Sequence, residues 1–578
     1  MLLILINWLV TGYVAFLHGF CVRRYFILPS DIEKTNALTM VWGLCTVFCG
    51  TSLILFFTGA RFLIFIFIIT AGVIHFLHRN AIAGCIRNLY GALFGSKMRV
   101  VFLLLVFALL VQSSQSSKVN DDGLYYTQTV LWLNKAGFVK GISNLFLPLG
   151  LTSSWHVLQA VFSFSFIDGI RFNDMNGFLV IVFFFYFIEN YTRQDTFSTV
   201  LFSLGLLISV PFLSACSPDL PVILLTIIGF DLYRRAPGEN KYDLLLLAAF
   251  GFSIKLSAIA LFLLPVGWLI TSPPAPLRGG EGSSVSTRDG RRTSFRMVSF
   301  FTLIMAMVIV KNTYQTGYPF YPFPWFAFTD LSWTTPVELV EYYRKGLQAW
   351  AFANIGTYEQ LKTIEYVNFD KIIPLLVHRE GYKGFINIIV FGTAAISLLA
   401  VPVLYFRGDK LRATLRPFLA LHLVSILSFI VWLKFAPQYR FIIPVVIFNI
   451  SYSVYVASSF ITPGPSFTYL LPGAAVIVMV ILSFLTIAIT ISSTSRQMGR
   501  LDAFHFGQTI FPHFSYSFAG LDTLRIDKQE YYHYKTNAYC WDCPLPCLPQ
   551  TYADFLRESR FKLDKRRDDI TAGFTLKR

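Results

Sequence analysis

The chain has 578 residues, of which 55% are hydrophobic, 17% aromatic and only 14% charged. That balance excludes a water-soluble globular chain, because apolar runs long enough to cross about 30 Å of hydrocarbon recur along it. The formal charge of +16 does not indicate a nucleic-acid partner, since lysine and arginine sit between the apolar runs, where the positive-inside rule accounts for them.

The first run opens Met1-Leu2-Leu3-Ile4 without a basic leader or a small-residue cleavage site, so it is expected to remain as a helix. Spanning segments are predicted over about 2–20, 38–57, 60–77, 99–113, 176–189, 196–214, 219–232, 243–256, 257–270, 297–310, 385–405, 412–432, 438–458 and 467–491, giving roughly 12–14 helices of an all-α polytopic membrane protein. The 243–270 stretch reads either as one tilted helix or as two short ones meeting near Lys255. Arg23-Arg24 and Lys34 follow the first run, and His78, Arg79, Arg87, Lys97 and Arg99 separate the third from the fourth. Both connections are therefore expected in the cytoplasm, and the segment after residue 113 outside. Alternation then places Arg193, Arg234-Arg235, the 278–296 stretch and Arg407, Lys410, Arg412 and Arg416 inside, with Ser217-Pro218-Asp219, Lys255, 311–384 and 434–440 on the outer face.

Five regions follow: N-terminal membrane helices (1–113), a core membrane domain with the first outer loop (114–270), a Pro/Gly/Ser-rich cytoplasmic linker (271–296), a second membrane half with a partly helical 311–384 outer loop (297–491), and a small cysteine-bearing region (492–578).

Asn120-Asp121-Asp122 opens the first outer segment, followed by Tyr125-Tyr126 and Trp155-His156. Two adjacent carboxylates at a bilayer surface can act as a base toward a hydroxyl, or hold a divalent cation such as Mg or Mn with Asn120 adding an oxygen. Helix capping by one aspartate and solvation of the other accounts for the same pair, and the aromatic residues suit either an interfacial belt or a platform for sugar rings. Asp219, after Ser217-Pro218, suits a helix N-terminus. Lys255 lies between apolar runs and needs an anion or a route to water, a phosphate being one such anion. Lys311-Asn312 is followed by Thr316-Gly317-Tyr318-Pro319-Phe320-Tyr321-Pro322, whose prolines present the rings as a ledge beside hydrocarbon. In Pro437-Gln438-Tyr439-Arg440-Phe441, Arg440 stands near a helix start, where a cation calls for a carboxylate or phosphate partner. In the tail, Cys540, Cys543 and Cys547 with His533 upstream are compatible with a disulfide plus one odd thiol, with a zinc site, or with isolated structural cysteines.

These residues together resemble the superfamily of multi-spanning glycosyltransferases with a C-type fold that use polyprenyl-phosphate sugars. The resemblance rests on Asp121-Asp122 in an early outer loop, Lys255, Lys311-Asn312 with the Tyr318–Pro322 ledge, and Pro437–Phe441, and covers about 100–460; the tail resembles an uncharacterised bacterial subset with a Cys-Trp-Asp signature. Three more predicted helices precede the acidic loop here than is usual in that superfamily. The resemblance implies sugar transfer from a polyprenyl-phosphate donor to a glycan, lipid or protein acceptor, on the periplasmic or extracellular side of the inner (plasma) membrane. It implies Asp121 or Asp122 as base, Lys255, Lys311 and Arg440 on the phosphate, and Asn120, Tyr125, Tyr126, Trp155, His156, Asp219, Asn312, Tyr318, Tyr321, Gln438 and Tyr439 around the substrates, with no nucleotide cofactor. A lipid flippase or secondary transporter, and a non-enzymatic cell-envelope assembly protein, are the competing classes.

Overall fold

The computed structural model describes the chain except residues 27–35, 95–97, 116, 118, 168–172, 191–194, 236–239, 267–283, 329, 353–366, 368, 407–408, 461–469, 486–520, 527–528, 535–539, 541–542, 550–551, 553–561, 566–571 and 578. Among the described residues its membrane part is largely helical, and six helices there are long and apolar enough to cross a bilayer. Shorter apolar helices accompany them: Met175–Asn190 packs on Asn36–Ile54, Ile443–Ser458 on Tyr382–Phe406, and Leu470–Leu485 on Arg99–Ser113. The chain is thus a polytopic, largely helical membrane protein.

Local chemistry explains the individual elements. The first helix, Leu2–Phe26, lies tightly against Asn36–Ile54, and small residues allow it: a Cβ on Gly19 would stand 1.8 Å from the Thr39 carbonyl, and one on Gly43 1.6 Å from that of Ala15. Asp219–Arg235 carries its acid in the first turn and its two arginines in the last, as the helix dipole favours. Leu63–Phe94 runs well past the predicted 60–77 segment and kinks at His78. Lys241–Ile254 stops where Lys255 turns extended (φ −155°, ψ 131°), and a 3-10 segment, Leu256–Phe262, follows. Of the two readings of 243–270, the chain adopts the broken one. The helix containing 297–310 extends over Ser284–Thr316, so part of the 271–296 stretch is helical and 271–283 lie outside the described residues. The 311–384 region supplies two short helices, Val337–Ala349 and Phe369–Val377.

Polar side chains gather at the two ends of the bundle. At one end Arg234 and Arg235 bond Asp195 and Asp231, and Arg235 Nε lies 2.8 Å from Asp231; Arg23 faces Asp243 at 3.6 Å. At the other end stand Asp219, Lys255 and Arg440. Asp219 and Arg235 share one helix, which separates the two layers by about 24 Å at 1.5 Å per residue, and the arginine-rich end is the one expected inside. The tail adds two small antiparallel pairs, Leu521–Ile526 with Gln529–Tyr534 and Lys562–Lys565 with Phe574–Lys577. It docks on the segment between Gly123 and Asn144.

Candidate functional site

Asp122–Tyr126 forms a single π-helical turn leading into helix Thr127–Lys135. Such turns are uncommon and concentrate at functional positions. Asp121 immediately precedes it, and its Oδ2 lies 2.5 Å from Arg440 Nη1; the Tyr126 hydroxyl donates to the same oxygen at 3.4 Å. Arg440 sits on a 3-10 turn, Tyr439–Phe441, steadied by its Nε donating to Gln438 Oε1 at 3.1 Å. Its Nη1 also approaches Asp219 Oδ2 at 3.5 Å, and Lys255 Nζ pairs with the other oxygen of Asp219. The helix break is what frees Lys255 to reach that acid. The Phe441 ring lies under both cations, 3.6 Å from Lys255 Nζ and 4.9 Å from Arg440 Cζ, a geometry that stabilises positive charge through the ring quadrupole. Lysine, aspartate, arginine and aspartate thus alternate in one contiguous chain of charge.

This chain borders a cavity of about 550 Å³. Tyr125, Tyr126, Lys255, Lys311, Asn312, Arg344 and Arg440 supply its polar wall, and Phe252, Ile259, Trp325, Val431, Trp432 and Phe435 are among its apolar lining. Lys311, only 3% exposed, donates to the Thr152 carbonyl and has no acidic partner among the described residues. Two carboxylates, Asp121 and Asp219, are matched by Arg440 and Lys255, so Lys311 stands in the wall without a carboxylate of its own among the described residues. A buried cation without a counter-ion is costly unless an anion completes it.

Asp122 behaves differently from its neighbour. It is fully buried, its Oδ2 accepts the Cys216 N–H at 3.2 Å, and burial pushes its carboxyl up to about 7 against the opposing pull of the Ser117 hydroxyl and the Cys216 amide. Because the folded pKa lies above that of the unfolded chain, its stabilising neutral form is fully present at pH 4 and is lost as pH rises toward 7. Asp122→Asn, whose side-chain oxygen can still accept from Cys216, is expected to match the parent near pH 4 and to exceed it at pH 8 by on the order of 2–4 kcal/mol. Unfolding in detergent across that range measures this. Equal pH profiles for parent and variant would refute the neutral-carboxyl assignment.

His156 is buried, accepts the Ser153 N–H on Nδ1 at 3.3 Å and lies with its ring centre 4.9 Å from that of Tyr126, the two rings tilted by 47°. Burial first, then the Lys311 and Lys255 charges, hold it down to about 3. It is a neutral imidazole, and its Nε2 has no hydrogen-bond partner among the described residues. Tyr321 lines the cavity while its hydroxyl donates to Leu147 O at 2.9 Å, and Asn312, also in the wall, donates to Pro319 O at 2.9 Å. Gln438 orients Arg440, and Tyr439 bonds Tyr382. Trp155 and Tyr318 stand behind the cavity: the indole N–H donates to Asn176 Oδ1 at 2.8 Å and the phenol to Thr335 O at 2.7 Å. Asn120 is exposed. Sequence reasoning missed Thr152, whose carbonyl anchors Lys311, and Arg344 and Phe441. Of these only Phe441, next to Arg440, left a trace in sequence.

The expectation of a divalent cation is corrected. Among the described residues no group of three or more His, Cys, Asp or Glu side chains can hold a metal ion. Asp121 is engaged by Arg440 and Asp122 by an amide, so the two carboxylates do not converge, and Arg440 and Lys255 would repel a cation there. The tail fails for a different reason: Cys540 and Cys547 form a disulfide, which removes two thiolates from any zinc site, and the side chain of His533 lies outside the described residues.

The chain belongs to the family described as Domain of unknown function (DUF8201), which matches residues 1–447. No curated protein and no solved structure matches it. The matched region contains Asp121, Asp219, Lys255, Lys311 and Arg440 and stops short of the tail.

Proposed function

We propose that this protein is a glycosyltransferase that moves a sugar from a polyprenyl-phosphate donor to a hydroxyl of a glycan, lipid or protein acceptor at the extracytoplasmic face, within a C-type fold. The observation that carries the reading is one carboxylate, Asp121, held against Arg440 at the head of an apolar cavity whose wall also contains Lys255 and Lys311. The apolar part suits an isoprenoid chain and the cationic part a lipid phosphate. In the proposed reaction the phosphate draws Arg440 from Asp121. The freed carboxylate accepts the acceptor hydroxyl's proton, the oxygen forms a bond to the anomeric carbon, and the carbon–oxygen bond to phosphate breaks with its electron pair leaving on the lipid phosphate. In-line displacement inverts the anomeric centre. Arg440, Lys255 and Lys311 stabilise the charge growing on the leaving group. Asp121, partly open at 19% exposure, suits the base role better than the fully buried Asp122. The tail disulfide on the same face fits an oxidising compartment, and the arginine-rich opposite end fits the cytoplasm of an inner membrane.

One observation favours a second reading. Transporter sites are often built where a membrane helix breaks, and Lys255 stands at such a break, which suits a lipid flippase. Purified protein in proteoliposomes, given a panel of polyprenyl-phosphate sugars and acceptor extracts, separates the two. Formation of a new glycosidic product is expected. Movement of the lipid-linked sugar between leaflets with no such product would overturn the transferase reading.

A further inference from the structure

The outer segment that carries Asp121, Asp122, Tyr125 and Tyr126 has two sides. One faces the cavity, and the C-terminal tail covers the other. The Cys540 N–H donates to Gly123 O at 2.9 Å, inside the π turn itself. One turn later Gln128 Nε2 donates to Cys543 O at 2.9 Å. Cys540, Cys543 and Cys547 are all buried, and the Cys540–Cys547 disulfide closes the short segment that presents both anchor points. That segment is fixed in turn to the strand Gln529–Tyr534, since Tyr532 donates to Pro546 O and Leu548 donates to Tyr532 O, each at 3.0 Å. A second attachment lies further along. The Phe574 N–H donates to Lys140 O at 3.0 Å, Asn144 Nδ2 donates to Phe574 O at 3.2 Å, and the Phe574 ring meets Trp132 edge-on at 6.0 Å.

We propose that the C-terminal tail is a latch that positions the acidic turn, and that the Cys540–Cys547 disulfide sets the latch. A π turn leaves the regular helical hydrogen-bond ladder, so the Gly123 carbonyl takes its partner from outside the helix, and that partner belongs to the disulfide-closed segment. Reduction adds two electrons and two protons, supplied by a dithiol that becomes a disulfide or by a phosphine with water that becomes the phosphine oxide, and opens the ring. The Cys540 and Cys543 anchors then lose their fixed spacing. The turn gains freedom, Asp122 gains water, and Asp121 no longer meets Arg440 in one geometry. Gln128, Cys540 and Cys547 are positioning residues in this scheme. The inference concerns where the turn sits and stands whether or not the turn serves glycosyl transfer.

The test uses the full chain in nanodiscs and reads amide hydrogen exchange over residues 122–130, with helix Asp219–Arg235 as internal reference. Cys540→Ser with Cys547→Ser, and separately Gln128→Ala, are expected to speed exchange over 122–130 by at least about ten-fold with the reference helix unchanged. The carboxyl titration of Asp122, followed by carbon NMR on selectively labelled protein, is expected to move from near 7 toward the ordinary aspartate range as its burial is relieved. Asp121, Asp219, Ser117 and Cys216 are the groups around it. Should the double variant not fold, the folded parent is reduced in place with a phosphine and then reoxidised; reversible local loosening supports the latch. Unchanged exchange over 122–130 in the reduced protein overturns it. So does loosening that extends equally to the reference helix, which would make the tail a general stabiliser and not a positioning element.

Discussion

Arg440→Ala is expected to remove sugar transfer to below about one part in 10² to 10³ and to destabilise the protein by about 3 kcal/mol. The guanidinium answers two carboxylates at once, Asp121 at 2.5 Å and Asp219 at 3.5 Å. With 23% of its side chain exposed it is neither a surface charge, whose pairing would count for little, nor a sealed one. Its loss leaves Asp121 beside Tyr126 alone and leaves Lys255 to serve Asp219. Stability and chemistry separate in a double variant. Arg440→Ala with Asp121→Asn removes both halves of the closest pair and is expected to recover most of the lost stability, while transfer stays absent because the phosphate has lost its fork-shaped partner. Arg440→Lys should fall between, since an ammonium keeps the charge and loses the bidentate geometry. Denaturant unfolding in detergent alongside the transfer assay measures both quantities. An Arg440→Ala protein that unfolds and transfers like the parent would remove the charge chain from the mechanism.

The residues of this site were visible in sequence, but their pairing was not. Lys255 stood out as a lysine between apolar runs, Arg440 as a cation near a helix start, and Asp121-Asp122 as acids after a membrane segment; the bias of the basic loops placed all of them on one surface. Which acid meets which base depends on contacts between residues 319 apart for Asp121 and Arg440 and 36 apart for Asp219 and Lys255, and only packing determines these. Adjacency misled the reading of the acidic pair. Consecutive residues in a helical turn point roughly 100° apart, so Asp121 reaches Arg440 while Asp122 turns inward to the Cys216 amide, and they cannot converge on a cation. Rings misled in a similar way. Trp155, Tyr318 and Tyr321 carry the same sequence signal and all three bond internal acceptors, yet of the three only Tyr321 lines the cavity. Most membrane helices were legible from run length and flanking charge, whereas the reach of Leu63–Phe94 past its apolar stretch and the early start of Ser284–Thr316 were not, because polar turns can continue a helix without adding hydropathy. Tail docking rests partly on the backbone groups of Gly123, Lys140 and Cys540, which leave no side-chain signature, and the side chains that join them, Gln128, Asn144 and Phe574, pair across more than 400 residues.

Asp121→Asn provides the most direct test of the chemistry. The amide is isosteric, keeps an oxygen for the Tyr126 hydroxyl and cannot take a proton at neutral pH, so transfer is expected to fall by about 10²–10⁴-fold, the usual contribution of a positioned base. Binding should move in the opposite direction. In the parent, a lipid phosphate must compete with Asp121 for Arg440; in the variant that competitor is gone and the cavity carries one more net positive charge. Affinity for a polyprenyl monophosphate is therefore expected to rise several-fold at low salt, and the gain should shrink as screening increases. A merely structural role for Asp121 predicts weaker binding together with slower transfer, so the sign of the affinity change separates the two accounts. Asp122→Asn serves as the matched control: the Asp122 carboxyl, pushed up to about 7, is largely neutral below about pH 6 and accepts from the Cys216 amide away from Arg440, so transfer near pH 6 should stay within a few-fold of the parent. Full transfer by the Asp121 variant, or collapse of transfer in the Asp122 variant with Asp121 intact, would take the base role away from Asp121.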